Sequence, residues 1–319
     1  MFEIRPYDPS LAADWNRFVA GSKNGTFLFH RDYMDYHADR FHDASLLCYL
    51  DGRLYALLPA NRVGDTLYSH QGLSYGGLVM TPESTTAHVC ELFTELSAFL
   101  RRQGISRVVY KPVPSVYHRL PSEEDLYAIY IVCQGRLLGR DVSSVIVPAC
   151  PVKWKRDRHY AANKARTNGI EVRQTEDFPA FWSILSDNLM QKHGAHPVHS
   201  LAEIQLLHSR FPDNIQLWGA FSPEGELLAG TVLYLCGDTV HAQYISASVL
   251  GKRLHAVDGL MDQLLHRFFA HVRFFDLGTS NMPHSSDLHA SLIYQKEGFG
   301  GRAVCFDTYE WTVTAIDDK

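Results

Sequence analysis

The sequence predicts a mixed α+β fold made of two tandem domains of the same design. Gly52 and Gly225, each in a hairpin-like turn, are 173 residues apart (225 − 52), and so are Asp65 and Asp238 of the next turn (238 − 65). In each half, paired strands are followed by an amphipathic helix and one more strand. Equal spacing of matching turns and elements indicates a duplicated fold.

The paired strands come first in each half. Leu46–Leu58 and Leu217–Leu233 are each two apolar, β-branched or aromatic runs joined by a polar glycine turn. Both then pass through Gly-Asp-Thr into a further strand. This pattern is typical of antiparallel hairpins. The alternative is a chance alignment, since glycine hairpins are common.

The helix and the closing strand follow in both halves. Ala87–Gln103 and Leu254–His271 carry apolar residues at three- and four-residue spacing, which predicts amphipathic helices. They lead into the predicted strands Arg107–Lys111 and Arg273–Gly278. Each domain is therefore expected to hold a mixed, mostly antiparallel sheet flanked by helices.

Length and composition fit two globular domains. The 319 residues suffice for two cores, and the pattern places the boundary between Ile131 and Val152, which gives domains 1–140 and 141–319. A hydrophobic fraction of 46% and a charged fraction of 20% are typical of globular proteins. No apolar run approaches the roughly 20 residues of a membrane helix, and the first residues lack a signal-peptide core. We expect a cytoplasmic protein without membrane insertion.

Charge and cysteine content exclude some partners. The formal net charge of −5 gives no general attraction to DNA. The six cysteines are scattered without a CxxC pair, which indicates reduced thiols. The dense histidine run 193–199 contains Gly194 and Pro197, so a loop is favoured over a metal site, and no metal is predicted.

One segment departs from the acidic average. Between Lys153 and Arg173, seven Lys or Arg residues face only two acids. Trp154–Asn168 has helical composition and ends in Asn168-Gly169, a C-cap signal. The basic helix either holds a phosphate-rich ligand or is an ordinary solvated face.

A second cluster lies near the C-terminus. Asp276 is the single acid in the aromatic strand 274–278, where burial would be costly without a partner, so it is either functional or a strand-end cap. A helix is predicted over Leu288–Ile293, then a glycine-rich turn over Tyr294–Gly300, then a last strand over Val304–Trp311.

In their order and spacing these motifs resemble the FemABX-like branch of the GNAT acyltransferase superfamily, with its BioF2-like acetyltransferase domain, and particularly its compact two-domain bacterial members. The resemblance covers most of the chain. The segments that carry it are Asn163-Lys164-Ala165-Arg166, Gly169–Val172, Asp276-Leu277-Gly278, Lys296–Gly300 and Ser69–Gly77.

The resemblance implies two tandem GNAT-like domains and transfer of an acyl group from acyl-CoA, such as acetyl-CoA, to an amine of a small molecule or peptide. An alternative is a FemABX-like aminoacyl transferase that uses aminoacyl-tRNA in cell-wall precursor synthesis. Another is a non-catalytic binding module on a decayed acyltransferase fold, because fold alone does not confer activity. RNA binding through the basic helix is a further possibility.

The resemblance also places the donor. In the superfamily a Q/R-x-x-G-x-G/A loop after the fourth strand presents backbone N–H groups and a helix N-terminus to the CoA pyrophosphate. The matching residues here are Ser248, Gly251, Lys252 and Arg253. Gly251 fits the first glycine, whereas Ser248 and Arg253 depart from the pattern. The first copy offers Gly76-Gly77 without a basic neighbour, so the second domain is expected to hold the donor. A helix start plugged by Arg253 would favour decay.

Acyl transfer to an amine needs proton transfer and oxyanion stabilisation. The candidates for proton handling are Asp276, Tyr244, and His255 or His241. Tyr294 matches the tyrosine that protonates the thiolate leaving group in many GNAT enzymes. The cationic residues expected to bind substrate are Lys164, Arg166 and Lys296.

Overall fold

The computed structural model describes residues 1–282, 285 and 287–313, without the side chains of Lys192 and His193. The chain divides into two compact units. Unit 1 holds Met1–Asp141 and the chain from Cys305 to the last described residue, and unit 2 holds Val142–Val304. No helix of the described residues is both long and apolar enough to cross a membrane.

Up to residue 313, unit 1 forms seven complete strands and four helices. The strands are β1 (Phe2–Pro6), β2 (Leu46–Leu50), β3 (Arg53–Leu58), β4 (Asn61–Val63), β5 (Thr66–Tyr68), β6 (Val79–Met80) and β7 (Arg107–Tyr110). The helices are α1 (Ala12–Gly21), α2 (Arg31–Met34), α3 (Thr86–Arg102) and α4 (Glu124–Ile131). Short 3₁₀ turns cover Pro9–Leu11, Phe27–Phe29, Asp35–His37 and Ser115–Tyr117.

Two strands each have one part in unit 1 and the other part in unit 2. They are β8 (Arg136–Ile146) and β14 (Arg302–Thr312). Within unit 1, β1-β2-β3-β6 form an antiparallel sheet, and β4-β5-β7-β14 form a second group in which β5 and β7 are parallel. Leu92, Phe93 and Leu96 of α3 pack into the core of this unit.

The described residues of unit 2 form five further strands and six helices. The strands are β9 (Glu171–Thr175), β10 (Ile215–Phe221), β11 (Leu227–Cys236), β12 (Thr239–Ala247) and β13 (Phe274–Thr279). The helices are α5 (Arg156–Thr167), α6 (Phe178–His193), α7 (Leu201–Arg210), α8 (Val249–Arg253), α9 (Ala256–Gln263) and α10 (Ala290–Gly298). A π-helical turn, Leu264–Phe268, extends α9.

The sheet of unit 2 has the order β8-β13-β12-β11-β10-β9. Its neighbours are antiparallel except for β12 and β13, which are parallel. One face packs on α9 through Leu260, Met261 and Leu264, which are buried with Val240 and Ala242 of β12. The parallel pair therefore lies inside the sheet, next to the main helix of the core.

The predicted α+β fold with a repeated design is confirmed. The turn glycines Gly52 and Gly225 both have positive φ angles, 78° and 87°. The parallel pairs also match, since Thr66 lies opposite Arg107 in unit 1 and Thr239 lies opposite Phe274 in unit 2.

The two copies differ at one proline. At the repeat offset, β11 of unit 2 corresponds to both β3 and β4 of unit 1. Pro59 lies between β3 and β4. Because proline has no N–H group for a ladder and fixes its own φ, it divides the strand in unit 1.

Two predicted elements were wrong in extent. The helix expected over Leu254–His271 begins only at Ala256, because His255 has a left-handed φ of 59°, and its α-helical part ends at Gln263. The turn expected from Tyr294 is mostly helix, since α10 runs to Gly298. Glycine at the last position of a helix does not interrupt it, which is why the composition was misleading.

Candidate active site

Two parallel strands separate at the centre of unit 2. β12 and β13 pair over three residues each, and the last pair is His241 with Asp276. The register between β12 and β11 shifts at Gln243, since Val232 faces Tyr244 and Leu233 faces Ala242. A bulge bends its strand, so β12 continues to Ala247 without β13 as a neighbour. The gap lies at the carboxyl ends of parallel strands, the place where open sheets bind ligands.

Asp276 lies at the mouth of this gap and is fully buried. Its Oδ1 accepts hydrogen bonds from the Ser143 hydroxyl and, at 2.8 Å, from the Gly278 N–H. Its Oδ2 is 2.8 Å from His241 Nδ1. A buried carboxyl group requires hydrogen-bond partners such as these. Asp276 thus does more than cap a strand end, because it also fixes the orientation of the His241 ring.

Lys296 reaches the same place from α10. The residue is buried, and its Nζ donates to the carbonyls of Gly278 at 2.8 Å and Thr279 at 2.7 Å. These carbonyls follow the last β13 residue that pairs with β12. Burial lowers the pKa of Lys296 to about 8, and the charge of Asp276 opposes this shift. The ammonium group is therefore poised between its charged and neutral forms near pH 8.

Gly278 lies beside both His241 and Lys296. Its φ is +77°, and an added Cβ would lie 3.4 Å from His241 Cε1 and 3.9 Å from Lys296 Nζ, which are ordinary contact distances. Glycine is favoured here because a side chain would strain the left-handed backbone. We call Ser143, His241, Asp276 and Lys296 the buried polar cluster.

Tyr244 lies just beyond the bulge. Its hydroxyl is 2.6 Å from His199 Nδ1 and 3.3 Å from the His199 backbone N. The Trp182 ring packs edge-on against the Tyr244 ring at 5.3 Å, and the Trp182 indole N–H donates to the His199 carbonyl at 3.3 Å. Burial raises the pKa of Tyr244. Sequence analysis placed His199 in the histidine-rich loop but missed its contact with Tyr244, because their spacing in the sequence carries no signal.

The predicted donor loop forms the short helix α8. Ser248 is its N-cap, and the Ser248 hydroxyl accepts from the Gly251 N–H at 3.0 Å. Gly251 is buried, and an added Cβ would collide with the carbonyl of Leu228. Packing against β11 therefore requires glycine here, and Ser248 already uses an N–H group expected to serve phosphate.

Cationic side chains lie in the last turn of α8. Lys252 Nζ donates to Asn188 Oδ1, and Arg253 is exposed. Arg253 follows the helix start by a full turn. The expectation that a plugged helix start would indicate decay stays a prediction. Lys252 and Arg253 are two cationic charges that an anionic donor near α8 could meet.

The remaining candidates stand apart from the buried polar cluster. Tyr294 is 53% exposed, and Lys155 Nζ lies 3.4 Å above its ring. His255 occupies the N-cap position of α9. Among the described residues, neither side chain hydrogen-bonds to the cluster. Their catalytic roles stay predictions from the resemblance.

Lys164 and Arg166 are exposed on α5. The opposite side of α5 packs on α9, where an added Cβ at Gly259 would lie 2.6 Å from Ala165 Cβ. The Arg158–Asp258 ion pair, 2.9 Å long, joins the same two helices. The basic face of α5 is thus turned outward, where it can meet solvent or a ligand.

The described residues of unit 1 do not form the equivalent gap and cluster. At the repeat offset Tyr68 replaces His241, and its partner on β7 is Val109 where unit 2 has Asp276. Beyond β5 the chain folds back, with the Ser69 N–H bonded to the Val109 carbonyl at 3.0 Å and the Gly76 N–H to the Lys111 carbonyl at 3.1 Å. The backbone of unit 1 itself occupies the place that is open in unit 2.

Comparison with known proteins agrees with this architecture. Residues 154–286 match the family model of the acetyltransferase (GNAT) domain. Similar solved structures include FemX, with TM-score 0.69 and 10% identity over 97% of each chain. L-PGS from Bacillus licheniformis has TM-score 0.60 and 13% identity over 96% of this chain and 92% of that chain. A search of curated proteins gave no match.

A tandem GNAT protein from the clavulanic acid biosynthesis pathway has TM-score 0.50 and 12% identity over 98% of this chain and 99% of that chain. At these identities the structures show the fold. The predicted resemblance to FemABX-like, tandem GNAT proteins is thereby confirmed at that level, and the chain has the fold of GNAT acyltransferases.

Proposed function

We propose that this protein is an N-acyltransferase that binds its acyl donor in the gap of unit 2 and transfers the acyl group to an amine. The observation that carries the proposal is the end of β12–β13 pairing at His241 and Asp276, beside buried Lys296. The match of residues 154–286 to a GNAT domain supports it. In this proposal domain 141–319 is the donor domain.

The buried polar cluster can stabilise the negative charge that develops during acyl transfer. Attack by the amine places charge on the carbonyl oxygen and then on the leaving group. Lys296 supplies a cation at the edge of the gap, and Asp276 holds His241 by Nδ1, so that the far edge of the ring can give a proton to the leaving group. The cluster therefore serves the acyl donor rather than the amine.

Acyl-CoA, in particular acetyl-CoA, is the donor that the fold favours. Lys252 and Arg253 would bind its phosphates, together with amides of α8 other than that of Gly251, which Ser248 uses. Tyr294 and His255 remain proposed contacts from the resemblance. The acceptor is an amine of a small molecule or peptide. We place the protein in a bacterial cytoplasm, with no DNA partner and no membrane insertion.

An aminoacyl-tRNA donor is the alternative. The exposed basic face of α5, with Lys164 and Arg166, supports it, as does the similarity to the fold of FemX. A protein that binds RNA through such a face loses affinity steeply as salt rises. Binding of charged tRNA between 50 and about 200 mM salt would therefore distinguish this donor from acyl-CoA.

A binding module without catalysis is the second candidate function. The observation that favours it is the Ser248 cap, which removes one N–H group from the α8 end. Such a module would bind an acyl donor without transferring its acyl group.

The experiment is a thermal-shift titration with acetyl-CoA and CoA, followed by acyl-transfer assays with a panel of primary amines. Stabilisation of the wild type, lost in a Lys252→Glu/Arg253→Glu variant, is the expected result. Leu137→Gln, an exposed change in unit 1, is the control. No stabilisation by acetyl-CoA and no binding of aminoacyl-tRNA would reject the acyltransferase proposal, and binding without transfer would favour the module.

A further inference from the structure

Two ordered side-chain pairs share one face of β12. Val240 and Ala242 are buried with α9, so His241 between them points to the opposite face of the sheet. Tyr244 lies on that opposite face as well, where its ring contacts Trp182 of α6. The bulge at Gln243 separates the His241–Asp276 pair from the Tyr244–His199 pair.

The Tyr244 hydroxyl has two partners on His199, namely the backbone N–H, which can only donate, and Nδ1 at 2.6 Å. The Gln243 side chain also hydrogen-bonds to this hydroxyl. We assign to His199 the tautomer in which Nδ1 carries no proton and accepts the hydroxyl proton. When the Tyr244 oxygen takes up a proton, its own hydroxyl proton can pass to His199 Nδ1.

The two pairs differ in charge. The buried polar cluster contains the Lys296 ammonium and suits developing negative charge. The Tyr244–His199 pair is built from two groups that are uncharged in this assignment, and its histidine can accept a proton. An attacking amine becomes positively charged, so it fits beside this second pair.

We propose that Tyr244 and His199 take the proton of the acceptor amine, which approaches along the α6 face of β12. The inference rests on the proposed acyltransferase function. As the amine nitrogen bonds to the acyl carbon, its N–H bond breaks and the Tyr244 oxygen gains the proton. The original Tyr244 proton moves to His199 Nδ1, and the bond from the acyl carbon to the leaving group breaks. Tyr244 touches the amine, and His199 acts through Tyr244 as a positioning residue.

The packing around His199 supports this role. His199 is 5% exposed although it lies in the connection between α6 and α7. Its carbonyl is held by Trp182, and the next residue, Ser200, caps α7 in a capping box with Glu203. Such a fixed base behind the hydroxyl needs little rearrangement during transfer.

The test uses Tyr244→Phe, which keeps the ring against Trp182, and His199→Gln. Tyr127→Phe, an exposed tyrosine of unit 1, is the matched control. Acetyl-CoA is the donor, and the acceptor is the best amine from the panel. We expect transfer to fall about 100-fold in both variants, while stabilisation by acetyl-CoA is unchanged. Below pH 8, where Lys296 is still charged, the variant rates should keep rising with pH after the wild type has levelled off.

If the wild type transfers the acyl group and both variants show its rate and its pH profile, this inference is overturned. The acyltransferase function would then remain intact. Loss of acetyl-CoA stabilisation in Tyr244→Phe would also overturn the inference, because the pair would then serve the donor. A wild type that transfers to no amine would instead reject the proposed function.

Discussion

The Nδ1 atom of His241 lies 2.8 Å from Oδ2 of Asp276 in the last residue pair that joins the parallel strands β12 and β13. The β12–β13 backbone pairing thus fixes these two residues on one side, and the gap between the strands lies on their other side. Their counterparts in unit 1, Tyr68 and Val109, cannot form this pair. The two copies of the fold therefore carry side chains of different chemistry at the same register position.

Asp276→Asn should lower acyl transfer by about 10²- to 10⁴-fold, because an amide presents a donor as well as an acceptor to His241 and disturbs its tautomer. Steady-state assays with acetyl-CoA measure the effect. Asp262→Asn is the matched control, since Asp262 pairs with His266 at 3.0 Å outside the gap. An equal loss in the two variants would show that the His241–Asp276 pair has no special role.

Sequence patterns captured the repeat because turn glycines and apolar periodicity are local. They also singled out Asp276, since one acid in an aromatic strand needs a partner. The sequence patterns did not identify the side chains that hydrogen-bond to the site residues. Ser143 and His199 meet the site only through strand pairing and helix packing across long separations in the chain.

The donor loop shows the same limit. Gly251 matches a phosphate-loop glycine by type and position, yet its immediate requirement is the close approach of Leu228. No local pattern distinguishes these two reasons for a glycine.

Lys296 should make activity and stability depend on pH in the alkaline range. Its native pKa is about 8 against an ordinary value of 10.5 for lysine, so the folded protein binds fewer protons between these values. Stability of the wild type relative to Lys296→Met should therefore rise as pH increases from about 8 to about 10.5. Transfer should fall through pH 8 as the cation is lost.

Urea unfolding at pH 7 and at alkaline pH measures this difference, with Lys153→Met as an exposed control. A stability difference between wild type and Lys296→Met that does not change with pH would contradict the lowered pKa.

Gly251→Ala should destabilise the protein by about 1–3 kcal/mol, because its Cβ collides with a backbone carbonyl that is held in the sheet. Gly139→Ala is the control, since nothing lies within 4 Å of its added Cβ. Chemical denaturation measures both. A Gly251→Ala protein as stable as the control would show that α8 can move away from β11. For the same reason Gly251 variants are poor probes of donor binding.

His70 should make unit 1 sensitive to acid. It is buried, has a left-handed φ of 65°, and stacks on His37 with ring centroids 5.4 Å apart. Burial, and then the nearby His37, lower the pKa of His70 to about 4 from the ordinary histidine value of 6.5. The unfolded chain binds the proton first, so stability is lost as pH falls from about 6.5 to about 4, by up to about 3 kcal/mol.

His70→Asn should remove much of this loss, because asparagine tolerates the left-handed backbone and does not titrate. Urea unfolding at pH 7 and pH 4.5 measures the change, and His42→Asn, at an exposed position, is the control. We expect the wild type and the control to lose more stability than His70→Asn on acidification. Equal losses in all three proteins would mean that other groups set the acid sensitivity and that the stacked histidines are readily charged in the folded state.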